Sequence, residues 1–353
     1  MGDVLLLGMT HFPRLRMPDN EWNKLFLKML SDPALPEHMR SPSSWPEGLR
    51  HEWADDQGLR AAQRQRKALT DDFRIMRQEL EKFQPDFILV WGDDQYENFQ
   101  DDGIPAFGIL AYDKIELEPW KLRMTDARSS NLEERKVDEA PRILECHRDG
   151  AKYIASRLLT KGFDITYSYR PRHVGLGHAF LNLVLYLDPD EKGFPWRMVP
   201  FSINCYGRIV VSQKGFPKGL SEAPTGNWDP PSPQPWRCFD LGAACATAAM
   251  ESNYRIALVA SSSWSHAFMT RKNYFLFPDM DADKKLYEDL IAGRYAGWRG
   301  RTLAEIEDSG QAELLNWACL AGAFDVLGLK PRYSNFHESY LFNSPKVFVA
   351  GGN

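Results

Sequence analysis

The sequence predicts an α/β fold, a central, mostly parallel or mixed sheet flanked by helices on both faces. Two observations carry that prediction. Short apolar runs of strand length, at residues 4–8, 87–91, 198–204 and 255–261, alternate with longer helical stretches, and that order builds layered α/β sheets. Three of these runs also break off into polar clusters: Met9-Thr10-His11, Asp93-Asp94-Gln95 and Ser262-Ser263-Trp264-Ser265-His266. Buried strands of open α/β sheets deliver site residues at their C-terminal ends in this way.

Each element has a local reason. Residues 4–8 form a strand that begins almost at once. Residues 17–56 read as irregular, with prolines at 18, 33, 36, 42 and 46. A long polar helix is expected over 58–83, stopped by Gln84-Pro85. The strand 87–91 follows. Residues 113–140 are charged and poorly periodic, which suits a surface excursion. A helix over 149–159 ends at Lys161-Gly162, and a strand is expected over 164–169. Residues 178–187 read as a short apolar helix and 198–204 as a strand. The stretch 207–236 is rich in Gly, Pro and Ser, a long loop that needs a functional explanation or disorder. An Ala-rich helix over 238–252 leads to the strand 255–261, and a final helix is expected over 311–327. No internal repeat is visible. The whole chain, 1–353, reads as a single catalytic α/β domain with insertions at about 17–56, 113–140 and 207–236.

Composition narrows the function. At 353 residues the chain can bury a large core, and 43% hydrophobic with 26% charged residues is ordinary for a globular protein. A net charge of −5 and the absence of any basic run argue against a nucleic-acid surface. No apolar stretch approaches the roughly 20 residues of a membrane helix. The N-terminus lacks a charged leader and a cleavage site. Five scattered cysteines, 146, 205, 238, 245 and 319, suit reduced thiols and a cytoplasmic location.

Eight histidines offer the main chemistry, and His11 and His266 lie just past the ends of predicted strands. With Asp93, Asp94 and Gln95 beyond a third strand, nitrogen and oxygen donors gather at one sheet edge. Imidazole plus carboxylate is the ligand set of Fe(II), Mn(II) or Zn(II). HExxH, CxxC, GxGxxG, GxxxxGK[ST] and GxSxG are all absent. Plainer readings exist beside these. Asp93 and Asp94 can cap the following turn. Glu313, in the first turn of its helix, favours the helix dipole in any case. A histidine at a strand end is often a core hydrogen-bonder.

Taken together, several segments resemble the class III extradiol ring-cleavage dioxygenases, of the type of the protocatechuate 4,5-dioxygenase catalytic subunit. They are Leu7-Gly-Met-Thr-His11; Pro85 to Gln95 with Phe99 and Ile104-Pro105-Ala-Phe107; His178 with Val199-Pro-Phe-Ser-Ile-Asn204; Arg237-Cys-Phe-Asp-Leu-Gly242; Trp264-Ser-His266; and Glu313-Leu-Leu-Asn-Trp-Ala318 with Ala321-Gly-Ala323. They occur in the family's order and span residues 4–326.

The resemblance implies a site. His11 and Glu313 would hold Fe(II), or else Mn(II) or Zn(II), with Gln95 at the position of the family's second metal-binding histidine. His266 would be the acid/base and His178 a hydrogen-bond donor to substrate or oxygen. Tyr206 and Trp264 would line the substrate pocket. The departure at Gln95 leaves three outcomes. The amide coordinates; or Asp94, Asp93 or His51 substitutes, or Asp94 orients a ligand from outside; or the site has lost ring cleavage. The enlarged segments would cover the pocket, as a separate small subunit does in some relatives. The expected activity is dioxygenase opening of a catechol-like or related hydroxylated (hetero)aromatic ring, with O2 as co-substrate and a homo-oligomeric assembly. A different metal-dependent reaction on the same scaffold, hydrolytic or atypically oxygenating, and a non-catalytic binding role are the alternatives.

Overall fold

The computed structural model describes residues 2–117, 142–173, 175–215, 219–222, 226 and 228–352. Its frame is an eight-stranded sheet of β1 (Val4–Met9), β2 (Phe87–Asp93), β3 (Phe107–Leu110), β6 (Thr166–Ser168), β7 (Met198–Ile203), β8 (Ile256–Ser261), β9 (Tyr333–His337) and β10 (Lys346–Gly352). The spatial order is β6-β3-β7-β2-β8-β1-β10-β9. The four central strands, β7, β2, β8 and β1, run parallel. β10 and β9 add antiparallel strands on one side, and β3 lies antiparallel to β7 on the other. A separate pair, β4 (Lys114–Leu117) and β5 (Arg142–Glu145), forms a small antiparallel sheet.

Strands with both faces covered read as continuous apolar runs rather than alternating ones. β1, β2, β7 and β8 are buried at every position. Their side chains divide between two cores. Val4, Leu6, Leu89, Trp91 and Leu258 face helices α4 (Arg148–Thr160), α6 (Pro235–Met250), α7 (Met280–Ala292), α8 (Ala296–Arg299), α9 (Leu303–Asp308) and α10 (Leu314–Val326). Leu5, Leu7, Ile88, Val90 and Val259 face α1 (Lys24–Leu30), α2 (Glu47–Trp53), α3 (Leu59–Phe83) and α5 (His178–Tyr186). α3 presents Leu69, Phe73, Met76 and Leu80, one stripe at 3- and 4-residue spacing. α10 is buried all round from Leu314 to Phe324, as a helix enclosed by other elements must be.

Register positions the site. Met9 pairs with Ser261 and Ser261 with Gly92, so three parallel strands end in one row. Their next residues emerge at the same sheet edge. Gly8 and Gly92 let two helices approach that edge. A Cβ on Gly8 would fall 2.4 Å from the Trp317 ring of α10, and one on Gly92 would fall 2.9 Å from Phe180 of α5. The N-termini of α10 and α5, with Glu313 and His178, are thereby drawn over the strand ends.

The structure revises parts of the sequence reading. Residues 17–56 are not irregular: α1, α2 and several 3₁₀ turns occupy them, and the prolines at 36, 42 and 46 open turns or helices. Phe26, Trp45 and Trp53 pack ring against ring at 5.1–5.7 Å, an aromatic core within the segment. In the stretch 207–236, Asp229 accepts from the backbone of Val211 and Ser212 and orders one turn. Of the segment 113–140, residues 118–140 lie outside those described. The sequence reading omitted β3, β4, β5, β9, β10, α7, α8 and α9. The cysteines are all free and buried. Among the described residues no helix is long and apolar enough to cross a membrane.

Candidate metal centre

Seven polar side chains meet at the strand ends. His11, two residues past β1, donates its Nδ1 proton to the Ser261 carbonyl at 3.0 Å, since a carbonyl only accepts. With Nδ1 held by that carbonyl, Nε2 is the ring nitrogen turned toward the centre, the usual arrangement of a metal-ligating histidine. Nε2 lies 3.3 Å from Glu313 Oε2. Glu313 sits at the start of α10, and the Ser263 amide donates to the same Oε2 at 2.9 Å. His266 places Nε2 3.1 Å from Glu313 Oε1. Tyr206 donates its hydroxyl to Oε1 at 2.6 Å, and the Gln95 amide nitrogen lies 3.4 Å from that oxygen while also donating to Tyr206 Oη.

Asp93, the last residue of β2, is fully buried, and neither of its oxygens has a hydrogen-bond partner among the described residues. Oδ1 is 3.8 Å from His11 Nδ1 and Oδ2 is 3.8 Å from His178 Nε2. The Nε2 of His178 is itself buried without a hydrogen-bond partner among the described residues. One donor atom from each of His11, Asp93 and His178 lies within 4.8 Å of the other two. A buried carboxylate with no hydrogen bonds is costly unless paired or coordinated. Imidazole nitrogen with carboxylate oxygen is a divalent-ion donor set, so the residues present fit a metal.

The electrostatics agree with a cation-seeking centre. Burial, reinforced by Glu313, pushes Asp93 up to about 6, while His11 and His178 oppose that rise. Burial also works against the Glu313 carboxylate, but the His266 and His11 imidazoles outweigh it and hold Glu313 well below the usual range. For His178 burial lowers the pKa, yet Glu97 overcomes this and raises it to about 10. His266 is raised for the same reason, Glu313 outweighing burial.

Not every candidate joins the cluster. Asp94 accepts from the amides of Glu97, Asn98 and Phe99 at 2.8–3.3 Å and so caps the following turn. Burial and Glu97 lift it to about 7. His51 is exposed on α2 and lines a separate surface cleft with Glu52, Gln65 and Glu338. An exposed imidazole in that cleft is no substitute ligand for the strand-end cluster. Trp264 is enclosed by Trp298, Trp317 and Phe336 rather than by a cavity, so it is core, not pocket wall. Tyr206 does line a cavity, of about 410 Å³, together with Ile209, Phe268, Ala312 and Leu315. Phe268 packs edge-on to His266 at 5.1 Å and Ala312 precedes Glu313, so this cavity opens beside the cluster.

Two features escaped the sequence reading. Glu97 accepts from His178 Nδ1 at 2.8 Å and from the His178 amide, which aims Nε2 at the centre. Its position in the Asp-rich segment was visible, but its partner lies 81 residues away. Asp283, fully buried on α7, accepts from the Ser265 amide, the Ser265 hydroxyl and Gln311 Nε2. One carboxylate thus ties the loop of His266 to the turn that leads into Glu313.

No protein-family model matches the chain, and no curated protein matches it in sequence.

Proposed function

We propose that the protein is a mononuclear, divalent-metal-dependent dioxygenase that opens a catechol-like ring beside its diol. The observation that carries this reading is the meeting of His11, His178, His266 and Glu313 around the unpartnered Asp93 carboxylate. Together with the sequence resemblance, that meeting supports ring cleavage over a binding role, because an acid/base imidazole and a metal-type donor set share one buried point.

His11 and Glu313 would hold the ion, with a third donor from the end of β2. Bound Fe(II) or Mn(II) would supply the electron transfer that lets a catechol react with O2. The protein's side chains do the rest. The cavity walled by Tyr206, Ile209, Phe268 and Leu315 seats a flat apolar ring beside the centre. His266 accepts a proton from a substrate hydroxyl and returns it later, the work of a positioned imidazole. His178, kept protonated by Glu97, donates from Nε2 to negative charge developing on oxygen. Tyr206, Phe268, Leu315, His266 and His178 are all buried, which limits water at the centre. In the net reaction the ring carbon–carbon bond next to the diol breaks and both atoms of O2 enter the product.

The test is O2 uptake by anaerobically Fe(II)-loaded protein given a panel of catechols. A yellow ring-opened product formed with one O2 consumed per substrate is expected, and His266→Ala should abolish it. Binding of catechols without O2 uptake, with either Fe(II) or Mn(II), would refute the reading and favour a binding role.

A further inference from the structure

We infer that Asp93, rather than Gln95, supplies the third protein donor to the metal, and that Gln95 instead fixes the orientation of Glu313. This rests on the metal-centre reading above, and it assigns residues of this chain where the resemblance would place an imidazole.

The argument begins with Gln95. Its amide nitrogen faces the Tyr206 hydroxyl and Glu313 Oε1. An amide N–H is a donor only and carries no lone pair for a cation. A carboxamide whose NH2 is held against a carboxylate does not offer its oxygen at that same point. Gln95, Tyr206 and His266 all converge on Oε1 of Glu313. Three donors saturate that oxygen. Oε2, which faces His11 Nε2 at 3.3 Å, is left as the coordinating atom.

Asp93 has the opposite character. Both oxygens are buried and unpartnered, and both face imidazoles at 3.8 Å. That spacing is too long for a hydrogen bond. The ring nitrogens at that distance carry protons, so what calls for an ion is the buried carboxylate itself, met by no donor among the described residues and with an atom of His11 and of His178 within 4.8 Å of it. Sequence adjacency explains the substitution. β2 ends at Asp93, fully in the sheet, whereas Gln95 lies two residues on, past the residue that caps the turn. A strand-terminal carboxylate reaches the centre from a more rigid support. Two carboxylates also neutralise a divalent ion, and carboxylate donors suit Mn(II).

Anaerobic titration calorimetry with Mn(II), a probe that needs no turnover, separates the roles. Asp93→Asn should weaken the Kd by 100-fold or more. Gln95→Leu should weaken it by no more than about 10-fold, the lower end of the range for outer partners of a metal site. If Asp93→Asn does not fold, Asp93→Glu keeps the charge while displacing the oxygens by one methylene. Its Kd should rise at least 10-fold, more than that of Gln95→Leu. A larger loss for Gln95→Leu than for the Asp93 variants would overturn the assignment, as would a wild-type protein that binds no Mn(II). Normal Mn(II) binding in this order without O2 uptake would leave the assignment standing and sink only the dioxygenase reading.

Discussion

Asp283 offers the sharpest quantitative prediction outside the metal ligands. Replacing it with alanine strands three buried donors: the Ser265 amide, the Ser265 hydroxyl and Gln311 Nε2. Each buried donor left unmet costs about 1–3 kcal/mol, and the hydroxyl can rotate toward another acceptor, so Asp283→Ala should destabilise by about 2–6 kcal/mol. Asparagine behaves differently. Its oxygen still serves Gln311 and the Ser265 amide, and its NH2 can donate to the Ser265 hydroxyl oxygen, so Asp283→Asn should cost only about 1 kcal/mol. Urea unfolding at pH 7 measures both. The same variants should separate in activity: alanine frees the His266 loop from the turn before Glu313 and should lower kcat by 10–100-fold, the scale of outer-shell losses. Equal stabilities for the two variants, within about 0.5 kcal/mol, would refute the hydrogen-bond accounting.

Further expectations follow from the same network. Burial raises Asp283 to about 7 from 3.8, so its contribution to folding is fully present below about 3.8 and is lost as pH rises through 7. The stability gap between wild type and Asp283→Asn, followed by urea melts from pH 5 to pH 8, should therefore shift in favour of the variant as pH rises; a pH-independent gap contradicts the shift. Glu97→Gln removes the charge that keeps His178 protonated and should reduce kcat by 10–100-fold with Tm changed little; unchanged kcat would show that His178 needs no orienting carboxylate. A Cβ on Gly242 would lie 1.8 Å from the Cys319 carbonyl oxygen, so Gly242→Ala must push α6 from α10 and should cost 1–3 kcal/mol or more by calorimetric Tm. His51→Ala should leave Mn(II) affinity within 2-fold of wild type; a larger loss would return His51 to the metal site.

Much of the sheet was legible because its central strands are buried on both faces. Continuous runs such as Phe87-Ile-Leu-Val-Trp91 carry their assignment in composition alone. The last two strands escaped for a related reason. Val347-Phe-Val-Ala350 is such a run, but short and beyond the last helix, where strand and buried helix read alike. The 17–56 segment was misjudged because its prolines sit at helix and turn starts, where they favour order. At the site, His11 was legible as a residue just past a strand end, whereas Glu313 entered only through the family resemblance, its place in the first turn of a helix having a plain dipole explanation. The choice between Asp93 and Asp94 was not, since adjacent carboxylates look alike until the pleat sends one into the centre and the other onto a turn. Glu97 and Asp283 act through partners brought near only by folding.

The most direct test is a crystal of the protein soaked anaerobically in Mn(II) and measured for anomalous scattering. The account predicts one strong peak about 2.0–2.2 Å from both His11 Nε2 and Glu313 Oε2. A peak elsewhere, or none at saturating Mn(II), would contradict it.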